Sequence, residues 1–367
     1  MLQIALLFLV VVALGLVAFL RFSPVFGAKA SDQDRQAYSA RSSLYDGKIF
    51  SNEREVSVMQ EGAPREGETV LAQKEATPKG EIPMESPAPI PAQDLAQEQL
   101  TVTWLGHSSL LVQMHGMNVL IDPVFSQRTS PVRFAGPKRF SAPPIDAEHM
   151  PEIDLLLLSH DHYDHMDMET ILALDDKVGQ YVVPLGLENH LARWGIDGDR
   201  VQTMAWWEQL EIDGLTIGCT PAQHFSGRGL NDRFETLWAS WVLKDEHHQI
   251  FESGDTGYGP HFQEIYEVYG AFDLVMLDCA QYSVRWAAVH MFPEQSYTAA
   301  QELHASYVMP IHWATVSMSD HPWDDPAQRM EAAAQGGDIT LVTPRMGQTM
   351  TADAFDQFQE RWWKDIP

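Results

Sequence analysis

The stretch that most restricts this chain reads Ser159-His160-Asp161-His162-Tyr163-Asp164-His165. Four side chains able to hold a metal, His160, His162, Asp164 and His165, follow directly on the apolar run Leu155 to Leu158. That run reads as a buried strand. A strand ending in such a cluster sets it at the C-terminal edge of a sheet, where loops build sites. Imidazole and carboxylate together suit zinc or a similar divalent ion. One short loop cannot close all four on a single ion. A sharp turn sends the pairs to two neighbouring metals, and further ligands must then arrive from other strand ends.

Three sites meet that demand. His224 follows a strand expected over Thr216 to Thr220. Asp255 follows Gln249 to Glu252, in Ser253-Gly254-Asp255-Thr256-Gly257. His312 follows Tyr307 to Pro310. Strand-end His and Asp also cap turns, but three of them beside the opening cluster read as ligands.

Ahead of this region, Leu2 to Leu20 is almost continuously apolar and carries no charge. Nineteen helical residues span about 28 Å, close to the hydrocarbon thickness of a bilayer. A transmembrane anchor over 1–21 is the expectation. The rival is a cleaved signal peptide, resting on Ala28-Lys29-Ala30. No Lys or Arg precedes the run, and that cut would lie beyond Arg21 and Pro24. Arg21, Lys29 and Arg35 follow it, so the positive-inside rule puts the body of a single-pass membrane protein in the cytoplasm. Residues 22–99 read as a largely disordered Pro/Glu-rich connector with a reach of roughly 50 Å as a coil. Tyr45-Asp46-Gly47-Lys48-Ile49-Phe50 is the part suited to lying on the domain.

From Leu100 the chain becomes β-rich. Leu100 to Leu105, Ser108 to Met114 and Val119 to Ile121 read as strands, with His115 to Asn118 as a hairpin turn. Strands and helices alternate thereafter. Helices are expected at Glu169 to Leu174, Leu187 to Trp194 (stopping at Gly195), Phe262 to Tyr269, Pro293 to Leu303 and Pro326 to Ala334. The pattern argues for a layered α/β domain over 100–350, with 351–367 a C-terminal tail or helix. The formal net charge of -27 disfavours nucleic acid as partner. Cys219 and Cys279 read as buried free thiols.

His-x-His-x-Asp-His, a distal His, Gly-Asp-Thr-Gly and a final His, in that order, resemble the signature of the metallo-β-lactamase-fold hydrolases. Within that superfamily the chain is most similar to the branch containing the N-acyl-phosphatidylethanolamine-hydrolysing phospholipase D and the L-ascorbate-6-phosphate lactonase. The segments that carry the likeness include Trp104-Leu105-Gly106-His107-Ser108-Ser109, Asp122-Pro123-Val124-Phe125, Gln223-His224-Phe225-Ser226-Gly227-Arg228 and Ile311-His312-Trp313. Asp278 to Met291 is instead similar to bacterial hydrolases of the same branch.

The resemblance implies a four-layer αββα sandwich, preceded here by one N-terminal membrane helix. It implies that His160, His162 and His224 hold one metal, that Asp164, His165 and His312 hold a second, and that Asp255 bridges. The cofactors would be two divalent ions, zinc or alternatively manganese. Such a pair lowers the pKa of a shared water to give a hydroxide near neutral pH. Asp255 and Asp164 are then the catalytic carboxylates.

Substrate contacts are expected from Tyr163, Arg228, His290 and Arg139. Arg133 and Lys138 complete a basic loop around Arg139. Trp206, Trp207, Trp238 and Trp241 read as core. Trp362-Trp363 reads as docked on the domain. The expected function is a zinc-dependent hydrolase acting on a phosphodiester such as a phospholipid headgroup, in the manner of a phospholipase D. A lactonase or esterase acting on a small acidic metabolite is the alternative enzyme. A non-catalytic metal-dependent binding protein is the alternative of another class.

Overall fold

The computed structural model describes residues 2–60, 76–91 and 94–367. Two seven-stranded sheets lie face to face. The first holds β1 (Leu100–Gly106), β2 (Ser109–Met114), β3 (Met117–Ile121), β4 (Ile153–Leu157), β5 (Val178–Pro184) and β6 (Val201–Met204) in chain order. The second holds β7 (Gln209–Ile212), β8 (Leu215–Thr220), β9 (Ser240–Lys244), β10 (Gln249–Glu252), β11 (Leu274–Asp278), β12 (Tyr307–Ile311) and β13 (Thr340–Leu341), also in chain order. A last short strand, β14 (Thr349–Thr351), returns to pair antiparallel with β1. Each sheet begins with antiparallel hairpins and ends in parallel strands, β3 to β6 and β10 to β13. Parallel strands point their C-terminal ends the same way, and this gathers the functional loops at one edge.

Side-chain alternation explains the layers. Leu155 and Leu157 face the core between the sheets, while Leu156 packs outward under helices. In β11, Leu274 and Met276 face the same inter-sheet core, and Val275 and Leu277 face away. The period of two makes both faces of these strands apolar, as a sandwiched strand requires. Replacing Leu157 by Ala would cost about 2–5 kcal/mol. Among the helices, α1 (Leu2–Phe22) and α2 (Asp32–Arg41) precede the sheets. Two helices, α3 (Met168–Leu174) and α4 (Leu187–Trp194), cover the first sheet. Three more, α5 (His261–Tyr269), α6 (Pro293–Glu302) and α7 (Asp325–Ala334), cover the second. The αββα order expected from the resemblance is the one observed.

The hairpin between β2 and β3 is tighter than expected. Its turn is His115-Gly116 alone, with φ of 54° and 75°, and Met117 and Asn118 belong to β3. Two residues at positive φ match the right-handed twist of the flanking strands.

The flanking segments depart most from expectation. Where the sequence reads a disordered connector over 22–99, its described residues lie largely on the domain. Residues 61–75 and 92–93 of it fall outside the described residues. The Ser31 hydroxyl and the Asp34 carboxylate cap α2 reciprocally, at 3.2 and 2.7 Å. Tyr38, Tyr45 and Phe50 are buried against Leu237 and Trp238. The physical reason is the aromatic surface of these three residues, which the polar average of the segment conceals. At the other end, the tail or helix expected over 351–367 takes the form of short 3-10 helices packed on the domain. Short 3-10 turns at Ala352–Gln357 and Trp362–Asp365 place Trp362 and Trp363 in the inter-sheet core. Trp362 stacks on Trp313 with centroids 5.1 Å apart. Truncating either indole to Ala would cost about 3–5 kcal/mol.

Trp238 and Trp241 are core, as expected, and Trp206 is half-buried. Trp207 is not core: it is 37% exposed at a turn with φ 71° and donates its N–H to Glu53. Both cysteines are free and buried.

Candidate metal centre

Seven chain segments deliver His or Asp to the same edge of the sandwich. His107 follows β1, Asp122 follows β3, and the loop from Ser159 follows β4. His224 lies past β8, Asp255 past β10, Asp278 ends β11, and His312 follows β12. His107, Asp122 and His312 sit at φ of 54°, 43° and 70°. Left-handed backbone at three non-glycine strand ends is strained, and such strain persists where the surroundings dictate a sharp turn into a site. The Gly-Asp-Thr-Gly segment explains itself sterically. A Cβ on Gly254 would stand 2.8 Å from the Ala239 carbonyl oxygen, and one on Gly257 would stand 1.9 Å from that of Ala288. Only glycine lets Asp255 approach this closely.

The ligand atoms converge in two adjoining groups. In the first, His162 Nδ1 lies 2.8 Å from His160 Nε2 and 3.2 Å from His224 Nε2. Asp255 Oδ2 stands 3.7 Å from the ring nitrogens of both His160 and His224. In the second, Asp164 Oδ2 lies 3.2 Å from His312 Nε2 and 3.7 Å from His165 Nε2. Asp255 turns its other oxygen, Oδ1, to these same two rings, at 3.0 Å from His165 and 3.3 Å from His312. Asp255 therefore spans both groups.

The residues fit divalent cations on two observations. Asp122, Asp164, Asp255 and Asp278 are buried, and among the described residues they meet imidazole but no Lys or Arg in an ion pair. Buried carboxylates without a fixed cation are costly unless a metal or proton supplies the charge. Second, His165 Nε2 and Asp255 Oδ1 are buried without a hydrogen bond although they face one another. The electrostatics divide the same way. Burial, reinforced by neighbouring imidazoles, holds His160 and His224 well below the usual histidine range, leaving neutral rings suited to ligation. Burial also works against charge on His312, but Asp255, Asp164 and Asp278 outweigh it and lift the ring to about 10. Without a metal these carboxylates would draw protons onto His165 and His312.

An outer ring of acceptors aims the imidazoles. Asp122 lies 2.7 Å from His165 Nδ1, Asp278 lies 3.4 Å from His312 Nδ1, and the Val289 carbonyl accepts from His224 Nδ1 at 2.9 Å. His107 stands 3.0 Å from Asp164, and burial pushes it down to about 4. Asp122, Asp278 and His107 stand at strand ends as the ligands do, and that position is the sequence signal for their role beside the centre.

The expected substrate contacts separate. His290 lines the cavity over the metal groups, with its ring stacked on His312 at 5.4 Å and its Nδ1 3.0 Å from Asp278. Arg228 does not face this cavity. Its guanidinium donates to the carbonyls of Asp161 and Met166, at 2.6 and 2.8 Å, and to that of Val25 at 3.0 Å. Carbonyls take Nε and Nη1, so Arg228 braces the loop, while its buried Nη2 has no partner among the described residues. Tyr163 lies over Arg228, its ring 4.2 Å from the guanidinium, and donates to the Arg228 carbonyl. It lines a neighbouring cavity instead. Arg139 is buried and donates to the carbonyls of Ser141 and Val124. It too is structural.

The cavity over the metal groups encloses about 220 Å³. Val58 and Met59, from the segment before the domain, form part of its wall with Phe225 and Trp286. Its cation is Arg233, exposed, seated over the Phe225 ring at 4.5 Å and without an ion pair among the described residues. Neither Arg233 nor the 58–59 wall has a local sequence signal. Both depend on a long-range approach.

Comparison with known proteins places the family and the fold. The sequence profile described as the β-lactamase superfamily domain matches residues 117–313. An uncharacterised protein of Mycobacterium tuberculosis is 38% identical over 304 residues, covering 81% of this chain and 80% of that one. N-acyl-phosphatidylethanolamine-hydrolyzing phospholipase D 1 of Caenorhabditis elegans is 34% identical over 281 residues, covering 72% of this chain and 79% of that one. Among solved structures, an isothiocyanate hydrolase from Delia radicum gut bacteria superposes with a TM-score of 0.55 at 19% identity, over 68% of this chain and 98% of that one. At that identity the superposition speaks for the fold alone.

Proposed function

The chain belongs to the metallo-β-lactamase superfamily as a metal-dependent hydrolase, and we propose that it cleaves a phosphodiester of a membrane phospholipid, holding two divalent ions, zinc by preference. The observation that carries this reading is the pairing of a site rich in buried carboxylate and imidazole with an apolar cavity whose cation is Arg233. A phosphodiester brings one negative charge to Arg233, and its lipid portion finds Val58, Met59 and Phe225. The likeness to a phospholipase D over 72% of the chain supports the same class.

His160, His162 and His224 would hold one ion and Asp164, His165 and His312 the other, with Asp255 shared. Such a pair supplies Lewis acidity and an acidified water. The chain's own residues do the rest. Asp122 and Asp278 fix which ring nitrogens of His165 and His312 face the site. His290, held by Asp278, stands where it can donate a proton to an oxygen in the cavity. The apolar wall of Val58, Met59 and Phe225 lowers the polarity on one side of the cavity, where charges act more strongly than in open water. We take α1 as an uncleaved anchor: it is long and apolar enough to cross a membrane, and its apolar surface is exposed along its length.

The test is a parallel assay of the full chain on a generic phosphodiester, on phospholipid vesicles and on lactones. Release of phosphatidic acid from vesicles is the expected result. Turnover of lactones alone would replace this reading with the lactonase.

A further inference from the structure

The end of α1 does not dangle from the domain. Arg193 donates to the Phe22 carbonyl at 3.0 Å, Trp194 to that of Pro24 at 2.7 Å, and Arg228 to that of Val25 at 3.0 Å. The Ala28 N–H donates to His190 Nδ1 at 3.0 Å, and His190 Nε2 lies 3.4 Å from Asp161, between two metal-ligating histidines. A helix fastened this way sets the tilt of the domain against whatever the helix crosses.

Two loops flank that exit. Leu230 lines one cavity together with Leu20, Arg21 and Phe22. The loop of Arg128 to Arg133 lines another together with Ser23 and Val25, and Phe134 is its next residue. Phe134 is 85% exposed and Leu230 is 78% exposed, the two most exposed large apolar side chains among the described residues, above any in α1. Arg21 and Arg193 line the first cavity together with Asp161, Asp232 and Glu235, and Arg128 and Arg133 line the second, where Arg133 pairs with Glu169 at 2.7 Å. In a chain of formal net charge -27, exposed apolar tips with arginines on the adjoining loops at the root of an apolar helix are suited to one surface. Apolar tips enter the acyl boundary while basic side chains meet lipid phosphates.

We infer that Phe134 and Leu230, with Arg21, Arg128, Arg133 and Arg193, form a footprint that rests on an anionic lipid bilayer. The footprint holds the domain down on the membrane from which α1 emerges. Leu230 and the cavity cation Arg233 share one loop, so the footprint sets the substrate cavity beside the lipid surface. The inference rests on reading α1 as an uncleaved anchor.

The test reconstitutes the full chain into vesicles of phosphatidylcholine with a minor share of phosphatidylglycerol. Phe134→Cys, Leu230→Cys and, as a control on α5, the exposed Val268→Cys are each labelled with a fluorophore. The native cysteines are buried and do not compete. Quenching by a lipid-borne quencher should be several-fold stronger at 134 and 230 than at 268. Vesicle-bound protein with equal, weak quenching at all three positions would overturn the footprint and leave the anchor standing. Full-length chain that fails to sediment with vesicles would overturn the anchor, and the footprint with it.

Discussion

Asn52 grips the backbone of His224 with both ends of its amide. Its Nδ2 donates to the His224 carbonyl at 2.9 Å, and its Oδ1 accepts from the His224 N–H at 3.1 Å. The same oxygen accepts from the Trp238 indole at 3.2 Å. A residue from the segment ahead of the domain thus sets the position of a candidate metal ligand. Asn52→Ala should weaken metal retention by on the order of tenfold, the lower range for loss of an outer-sphere partner. Competition with a chelator followed by metal analysis reads it, and unchanged retention would show that the β8 end alone places His224.

Asp255 spans both ligand groups, and its loss removes a donor from each. Asp255→Ala should abolish turnover and reduce bound metal from about two ions per chain, the dinuclear expectation. Elemental analysis alongside activity separates loss of metal from loss of chemistry. A fully active variant would remove Asp255 from the centre.

Arg233 is the cation of the substrate cavity. Arg233→Ala should raise KM for a charged phosphodiester by about tenfold, the range of one charge-assisted hydrogen bond to an anion. Arg233→Lys should restore part of it, and a neutral lactone should show no change. An equal loss on both substrate types would point to a disturbed loop instead of a lost ion contact.

His261, at the start of α5, is buried, and burial pushes it down to about 3. Its unfolded value is near 6.5, so between the two values the unfolded chain binds a proton that the folded chain refuses. The stability due to neutral His261 is complete above pH 6.5 and is lost as pH falls from there towards 3, at no more than about 1.4 kcal/mol per pH unit. His261→Gln should flatten the acid limb of a denaturation series in that window. An unaltered slope would assign acid sensitivity elsewhere.

Much of this was legible in the sequence because the informative residues carry local marks. The ligands stand at strand ends after apolar runs, and β10 spans Gln249–Glu252 as expected from those runs. Gly195, at φ 94°, stops α4 as its position predicts. Arg228 turns away from the cavity over the metal groups, because proximity in sequence to His224 does not set which way a long side chain turns, and three carbonyls hold it. Asn52, Val58 and Arg233 left no local trace, because each acquires its role only when distant segments meet.

The placement of Trp362 and Trp363 has a consequence for how the molecule is made. The indoles that fill the space between Trp104, Trp313 and Trp323 come later in the chain than every strand of both sheets. The first sheet likewise waits for β14 to cover the edge of β1. The seam between the sheets therefore closes only after both sheets have been made and Trp362 and Trp363 can reach it. Until then the two halves of the sandwich face each other across an unfilled seam.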